Sequence, residues 1–107
     1  MRVKSRSVNP TGLRPELKFG LDLCKEICSD LGYPFIITSL NDGRHSRTSL
    51  HYDGAAADFR SKHMFETDKK AALARMRAVL HKNFDLLLEY PDKDNEHFHL
   101  EWQPKRV

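Results

Sequence analysis

Residues 84–102 read FDLLLEYPDKDNEHFHLEW, and the folding of the chain turns on them. Phe84 to Tyr90 are apolar enough for a strand, and 91–95, PDKDN, are turn formers. Residues 97–102, HFHLEW, alternate polar and apolar without a break. Successive side chains of a strand point to opposite faces. His97, His99 and Glu101 therefore share one face, and Phe98, Leu100 and Trp102 share the other, which must meet the core. The spacing predicts an antiparallel hairpin, and a register pairing residues 89 and 97 sets Glu89 across from His97 on the polar face.

Upstream, residues 67–83 carry Ala71, Ala72, Leu73, Met76, Val79 and Leu80 at helical spacing, with Thr67 as N-cap. Residues 55–60, AAADFR, read as a short strand. Residues 41–49, NDGRHSRTS, contain no apolar residue and read as a loop. Residues 33–40, YPFIITSL, are β-branched and apolar, a buried strand. Leu17, Leu21, Cys24, Cys28 and Leu31 mark a first helix over 15–31, with Pro15 in its first turn and Gly32 as its stop. Gly20 costs that helix about 1 kcal/mol relative to alanine. Residues 1–9 read as a loose arm. The order helix, strand, loop, strand, helix, hairpin predicts an α+β fold: a small antiparallel sheet with both helices on one face.

The 107 residues suffice for one domain, 1–107, with one sizeable core. The composition, 39% hydrophobic and 31% charged, excludes a disordered chain. No apolar run approaches the roughly 18 residues of a membrane helix, and the basic N-terminus lacks the apolar stretch of a secretory signal. The expected protein is a monomer made in the cytoplasm. Its net charge of +3 and pI near 9.0 suit an anionic partner or simply a solvated basic surface. Lys69, Lys70, Arg75, Arg77 and Lys82 make the second helix basic. A nucleic-acid role would leave the histidines unexplained, and no nucleic-acid partner is expected. Cys24 and Cys28, four apart, read as reduced, half-buried thiols, because helical i,i+4 side chains sit too far apart for a disulfide.

Two windows carry chemistry: SLHYDGAAADFR at 49–60 and EHFHLE at 96–101. Zinc accepts imidazole nitrogen and carboxylate oxygen, and a catalytic zinc keeps three protein ligands plus one open position. Two histidines and an aspartate supply such a set. Each residue taken singly is an ordinary surface histidine or loop aspartate, so spacing alone leaves metal binding open.

The pattern S-x-H-x-x-G-x-A-x-D followed by a late H-x-H is met by Ser49, His51, Gly54, Ala56, Asp58, His97 and His99. It resembles the zinc D-alanyl-D-alanine carboxypeptidases and the related phage endolysin peptidases, whose fold the hedgehog signalling domain shares. The resemblance spans about residues 34–102. It implies one zinc ion held by His51, Asp58 and His99 in a groove on the sheet face away from the helices. It places the general base three residues before the ligand histidine, at Glu96, with Glu89 as rival and His97 third. Arg44, Arg47 and His45 are candidates for stabilising the oxyanion, and with Ser49 they form the expected substrate-binding set. The implied function is a zinc metallopeptidase of peptidoglycan, a D-Ala-D-Ala carboxypeptidase or an L-Ala-D-Glu endopeptidase. It would be phage- or prophage-derived and reach the cell wall on lysis. The alternative is a zinc-binding module of the same fold without turnover.

Overall fold

A computed structural model of the chain describes residues 2–3, 14–41 and 55–103. Its elements are β1 (Arg2–Val3), α1 (Pro15–Asp30), β2 (Ile36–Asn41), β3 (Ala55–Arg60), α2 (Glu66–Val79), β4 (Phe84–Glu89) and β5 (His97–Trp102). The fold is α+β. Four strands pair antiparallel in the order β2-β3-β5-β4, and β1 adds a parallel strand at the β2 edge. Arg2 and Val3 sit opposite Ile36 and Ile37, so this part of the expected loose arm belongs to the sheet. Among the described residues no helix is long and apolar enough to cross a membrane.

Helix α1 buries Leu17, Gly20, Leu21, Cys24, Ile27 and Cys28, a stripe one helix-face wide. It ends in a Schellman motif. Gly32 takes φ +87°, its N–H bonds Ser29 O at 3.0 Å, and the Tyr33 N–H bonds Cys28 O at 2.9 Å. That closure uses residues 31–33, so β2 begins at Ile36 rather than at Tyr33. Gly20 has a packing reason: a Cβ there would lie 2.6 Å from Cε1 of Phe84. The helix concedes propensity so that β4 can approach it.

Helix α2 starts one residue before the expected Thr67 cap and stops at Val79. Phe65 precedes it with an extended backbone, and its N–H donates to the Tyr33 hydroxyl at 3.1 Å. Glu66 and Asp68 in the first turn complement the helix dipole. Leu80, at ψ 137°, turns the chain towards β4.

Between the helices and the sheet, Leu17, Leu21, Cys24, Cys28, Ile37, Phe59, Met76, Phe98 and Leu100 form one core, with the Phe59 and Phe98 rings stacked 5.1 Å apart. Both cysteines are free and fully buried, where half-burial was expected. Burial pushes the Cys28 thiol up to about 12 and raises that of Cys24 as well, so both stay protonated and inert.

Candidate metal centre

The outer face of the sheet collects the polar residues. Strand β5 follows the alternation read from the sequence, with Phe98 and Leu100 buried and His97, His99 and Glu101 half-buried on the other side. Asp58 of β3 lies opposite His99, and Glu89 of β4 lies opposite His97. Strand pairing alone therefore draws one aspartate, one glutamate and two histidines from three neighbouring strands into one patch. Beside it, the β2–β3 register shifts between Ile37 and Ser39, which brings Ser39 opposite Asp58. Such a bulge re-aims neighbouring side chains.

Asp58, Glu89, His97 and His99 each offer one ligand atom, and these four atoms lie within 4.8 Å of one another. The Asp58 Oδ1 to His99 Nδ1 distance is 2.5 Å, and Asp58 Oδ1 lies 3.5 Å from His97 Nε2. Glu89 Oε1 is 3.0 Å from His97 Nε2 and 3.8 Å from His99 Nδ1. Bond lengths of 2.0–2.1 Å put the ligand atoms of a tetrahedral zinc about 3.3 Å apart. To reach that spacing the Asp58–His99 pair would open and the Glu89–His99 pair would close.

The far side of each imidazole also fits a metal. His97 Nδ1 is 2.8 Å from the Asn95 carbonyl, an acceptor only, so that nitrogen carries the hydrogen. His99 Nε2 is 2.8 Å from Glu101 Oε1, whose partner oxygen accepts from Gln103 Nε2 at 2.8 Å. With a metal ion in the cluster, each ring would keep its hydrogen on the far nitrogen and turn a lone pair to the ion. A carboxylate behind a ligating histidine is a recurrent device that fixes the tautomer and strengthens the donor. Without a metal, the hydrogen bond to Asp58 raises the His99 pKa, burial opposes that, and Glu101 adds to it, for a value of about 9. A bound cation takes the place of that proton.

Glu96 is not in the cluster, although the sequence ranked it first as general base. Strand β5 begins at His97, and the Glu96 carboxylate just before it is buried and committed. Lys69 Nζ lies 2.8 Å from Oε2, Ser61 donates to Oε2 at 2.8 Å, and the Asp92 N–H donates to Oε1 at 3.1 Å. Burial raises its pKa, but the bonds from Lys69, Asp92 and Ser61 outweigh burial and hold the carboxyl below its usual range. Of the two glutamates considered as base, Glu89 is the one that faces the histidines. Arg44, His45, Arg47, Ser49 and His51 lie outside the described residues. Two contributions were missed from the sequence: the Glu101–Gln103 support behind His99, and Arg60 beside Asp58. The first was legible in principle, since residues 99 and 101 share one strand face and Gln103 follows at the same spacing.

In comparisons with protein-family models, curated proteins and solved structures, nothing matches this chain. The functional reading therefore rests on the sequence motif and on the geometry of the cluster.

Proposed function

We propose that this chain is a zinc-dependent peptidase hydrolysing a peptide bond of peptidoglycan stem peptides, on a fold of the hedgehog and D-alanyl-D-alanine carboxypeptidase kind. The observation that carries the reading is the meeting of Asp58 Oδ1 and His99 Nδ1 across strands β3 and β5, with Glu89 and His97 beside them. The motif implies Asp58 and His99 as ligands independently of their strand register, and they stand opposite each other in β3 and β5. The peptidoglycan substrate rests on the motif alone.

In this reading Asp58 and His99 are ligands and His51 is the third. Zinc held there supplies Lewis acidity, polarising a carbonyl and making water nucleophilic near neutral pH. Glu89 takes the proton of the attacking water and hands it to the leaving amine. Its carboxylate is partly exposed and lies 3.0 Å from His97 Nε2. Glu96 is replaced in this role because its oxygens are occupied by Lys69, Ser61 and Asp92.

One observation favours a second reading. The four convergent atoms suffice for a metal without His51. A site closed by Asp58, Glu89, His97 and His99 has no open position, as in structural zinc sites, and would make the chain a zinc-binding module without turnover.

Zinc content and release of peptide or D-alanine from purified peptidoglycan, measured in parallel, separate the two. The peptidase reading expects His51→Ala to lose metal and activity. It expects Glu89→Gln to keep its zinc while hydrolysis falls by about 10²–10⁴-fold. Turnover lost in His97→Ala but kept in Glu89→Gln, with zinc bound in both, moves the base to His97. Zinc lost from Glu89→Gln and His97→Ala but kept by His51→Ala establishes the closed module.

A further inference from the structure

Beside the cluster, the outer face of the sheet opens into a groove of about 650 Å3. Its lining includes Thr38, Ser39, Asp58, Arg60, Lys62 and His97. Arg60 stands two residues after Asp58 on β3, hence on the same face of the sheet, and opposite His97 of β5. It is half-buried, and among the described residues its guanidinium has no hydrogen-bond or ion-pair partner. Lys62, also at the groove, is engaged: its Nζ donates to the Asp94 carbonyl at 2.8 Å and lies 4.0 Å from Asp94 Oδ1. Among the described residues, Arg60 is thus the uncommitted cation beside the cluster.

The charge around the cluster makes this position matter. Asp58, Glu89 and Glu101 bring three carboxylates, which outnumber the two positive charges of one zinc ion. An anionic group arriving there is repelled unless it settles against a cation. A guanidinium presents a rigid fork of N–H donors that matches a carboxylate in a bidentate pair. A half-buried one holds that pair more strongly than a solvated one would.

We propose that Arg60 is the substrate-carboxylate site: it clamps a carboxylate of the bound peptide in this groove and so sets a neighbouring peptide bond over the Asp58–His99 cluster. The inference rests on the peptidase reading for the cleavage step, but not for binding itself. Two carboxylates fit the chemistry, the free C-terminus of a D-alanyl-D-alanine peptide and the glutamyl carboxylate of an L-alanyl-D-glutamyl peptide. The one that Arg60 selects also names the bond that is cut.

The test uses the zinc-loaded full chain and four probes: an acetyl-lysyl-D-alanyl-D-alanine peptide and an L-alanyl-D-glutamyl peptide, each as free acid and as amide. Affinity is read by calorimetry for the wild type, Arg60→Ala and Arg60→Lys, with kcat and KM wherever a probe is cleaved and zinc content checked throughout. The wild type is expected to bind one acid roughly 10–100-fold more tightly than its amide, the range of a charge-assisted hydrogen-bonded pair. Arg60→Ala should abolish that preference by weakening the acid alone, raising KM with kcat little changed. Arg60→Lys should restore part of it, because a point charge replaces the fork. Equal wild-type affinity for acid and amide, no binding of either acid, or an equal loss for acid and amide in Arg60→Ala overturns the proposal. If Arg60→Ala does not fold, the wild-type preference and its reduction in Arg60→Lys decide. Selective acid binding through Arg60 without cleavage upholds the carboxylate site and sinks the peptidase. Cleavage of acid and amide with the same KM upholds the peptidase and sinks the site.

Discussion

Two polar constellations meet at the start of β5, and they are built in opposite ways. Around Glu96, a carboxylate that is 5% exposed receives Lys69, Ser61 and the Asp92 N–H, so its charge is balanced and each of its oxygens is bonded. Around His97 and His99, one residue and three residues later, the bonded acceptors, the Asn95 carbonyl and Glu101 Oε1, stand behind the rings. The lone pairs and carboxylate oxygens converge on one point instead. A satisfied buried network holds structure and offers nothing to a ligand. A convergent set of acceptors is held apart by its own repulsion unless a proton or a metal ion joins it. Two glutamates of the same hairpin, Glu89 and Glu96, fall on opposite sides of this divide. Carboxylate chemistry alone does not separate them; the partners do.

The contrast breaks most sharply at His99. His99→Ala should abolish metal binding and hydrolysis together, read as elemental zinc and peptide release. A variant that keeps full zinc content would remove His99 from the site.

Glu96→Ala should do the reverse. Among the described residues it leaves Lys69 buried beside only Glu66, at 3.6 Å, and should destabilise the fold by about 3 kcal/mol. Metal content of the folded fraction should be unchanged. The sign of the pH dependence follows from the direction of the shift. The folded-state pKa of Glu96 is lowered, so its stabilisation is complete above the ordinary carboxylate value near 4.3 and disappears as pH falls through the folded value. The Lys69 pKa is raised by its hydrogen bond to Glu96, so the alkaline loss lies above the ordinary lysine value near 10.4. Urea unfolding of wild type and Glu96→Ala should therefore differ at neutral pH and converge in strong acid. A gap that persists undiminished at pH 2 contradicts this account.

A smaller effect is expected behind the metal. Glu101→Gln keeps the shape but weakens the support of His99 Nε2, and should lower zinc affinity by about 10–100-fold without removing the site. Competition with a chelator measures it, and an affinity equal to wild type would make Glu101 a bystander. The smallest effect concerns the core. Gly20→Ala gains helix propensity but drives a Cβ into the Phe84 ring, for a net loss of about 1–2 kcal/mol in chemical unfolding. Neutral or increased stability would mean that the ring moves aside at little cost.

Much of this molecule is legible in local patterning. The strands 55–60 and 97–102 form with the bounds read from the sequence, the second from its period-two alternation, and the Glu89–His97 pairing follows from the turn between the last two strands. The helical stripe of α1 and its glycine stop are likewise properties of neighbouring residues. Other features depend on segments far apart in the chain. Arg2 and Val3 join the sheet through β2. Gly20 exists for a ring 64 residues away by count of the sequence. Glu96 passes from first-ranked base to structural anchor because Lys69 and Ser61 reach it across 27 and 35 residues. The physical reason is that periodicity assigns a side chain to a face, and a face contains many possible partners. Which donor satisfies a given carboxylate depends on how helices and strands pack, and packing is a property of the folded chain as a whole.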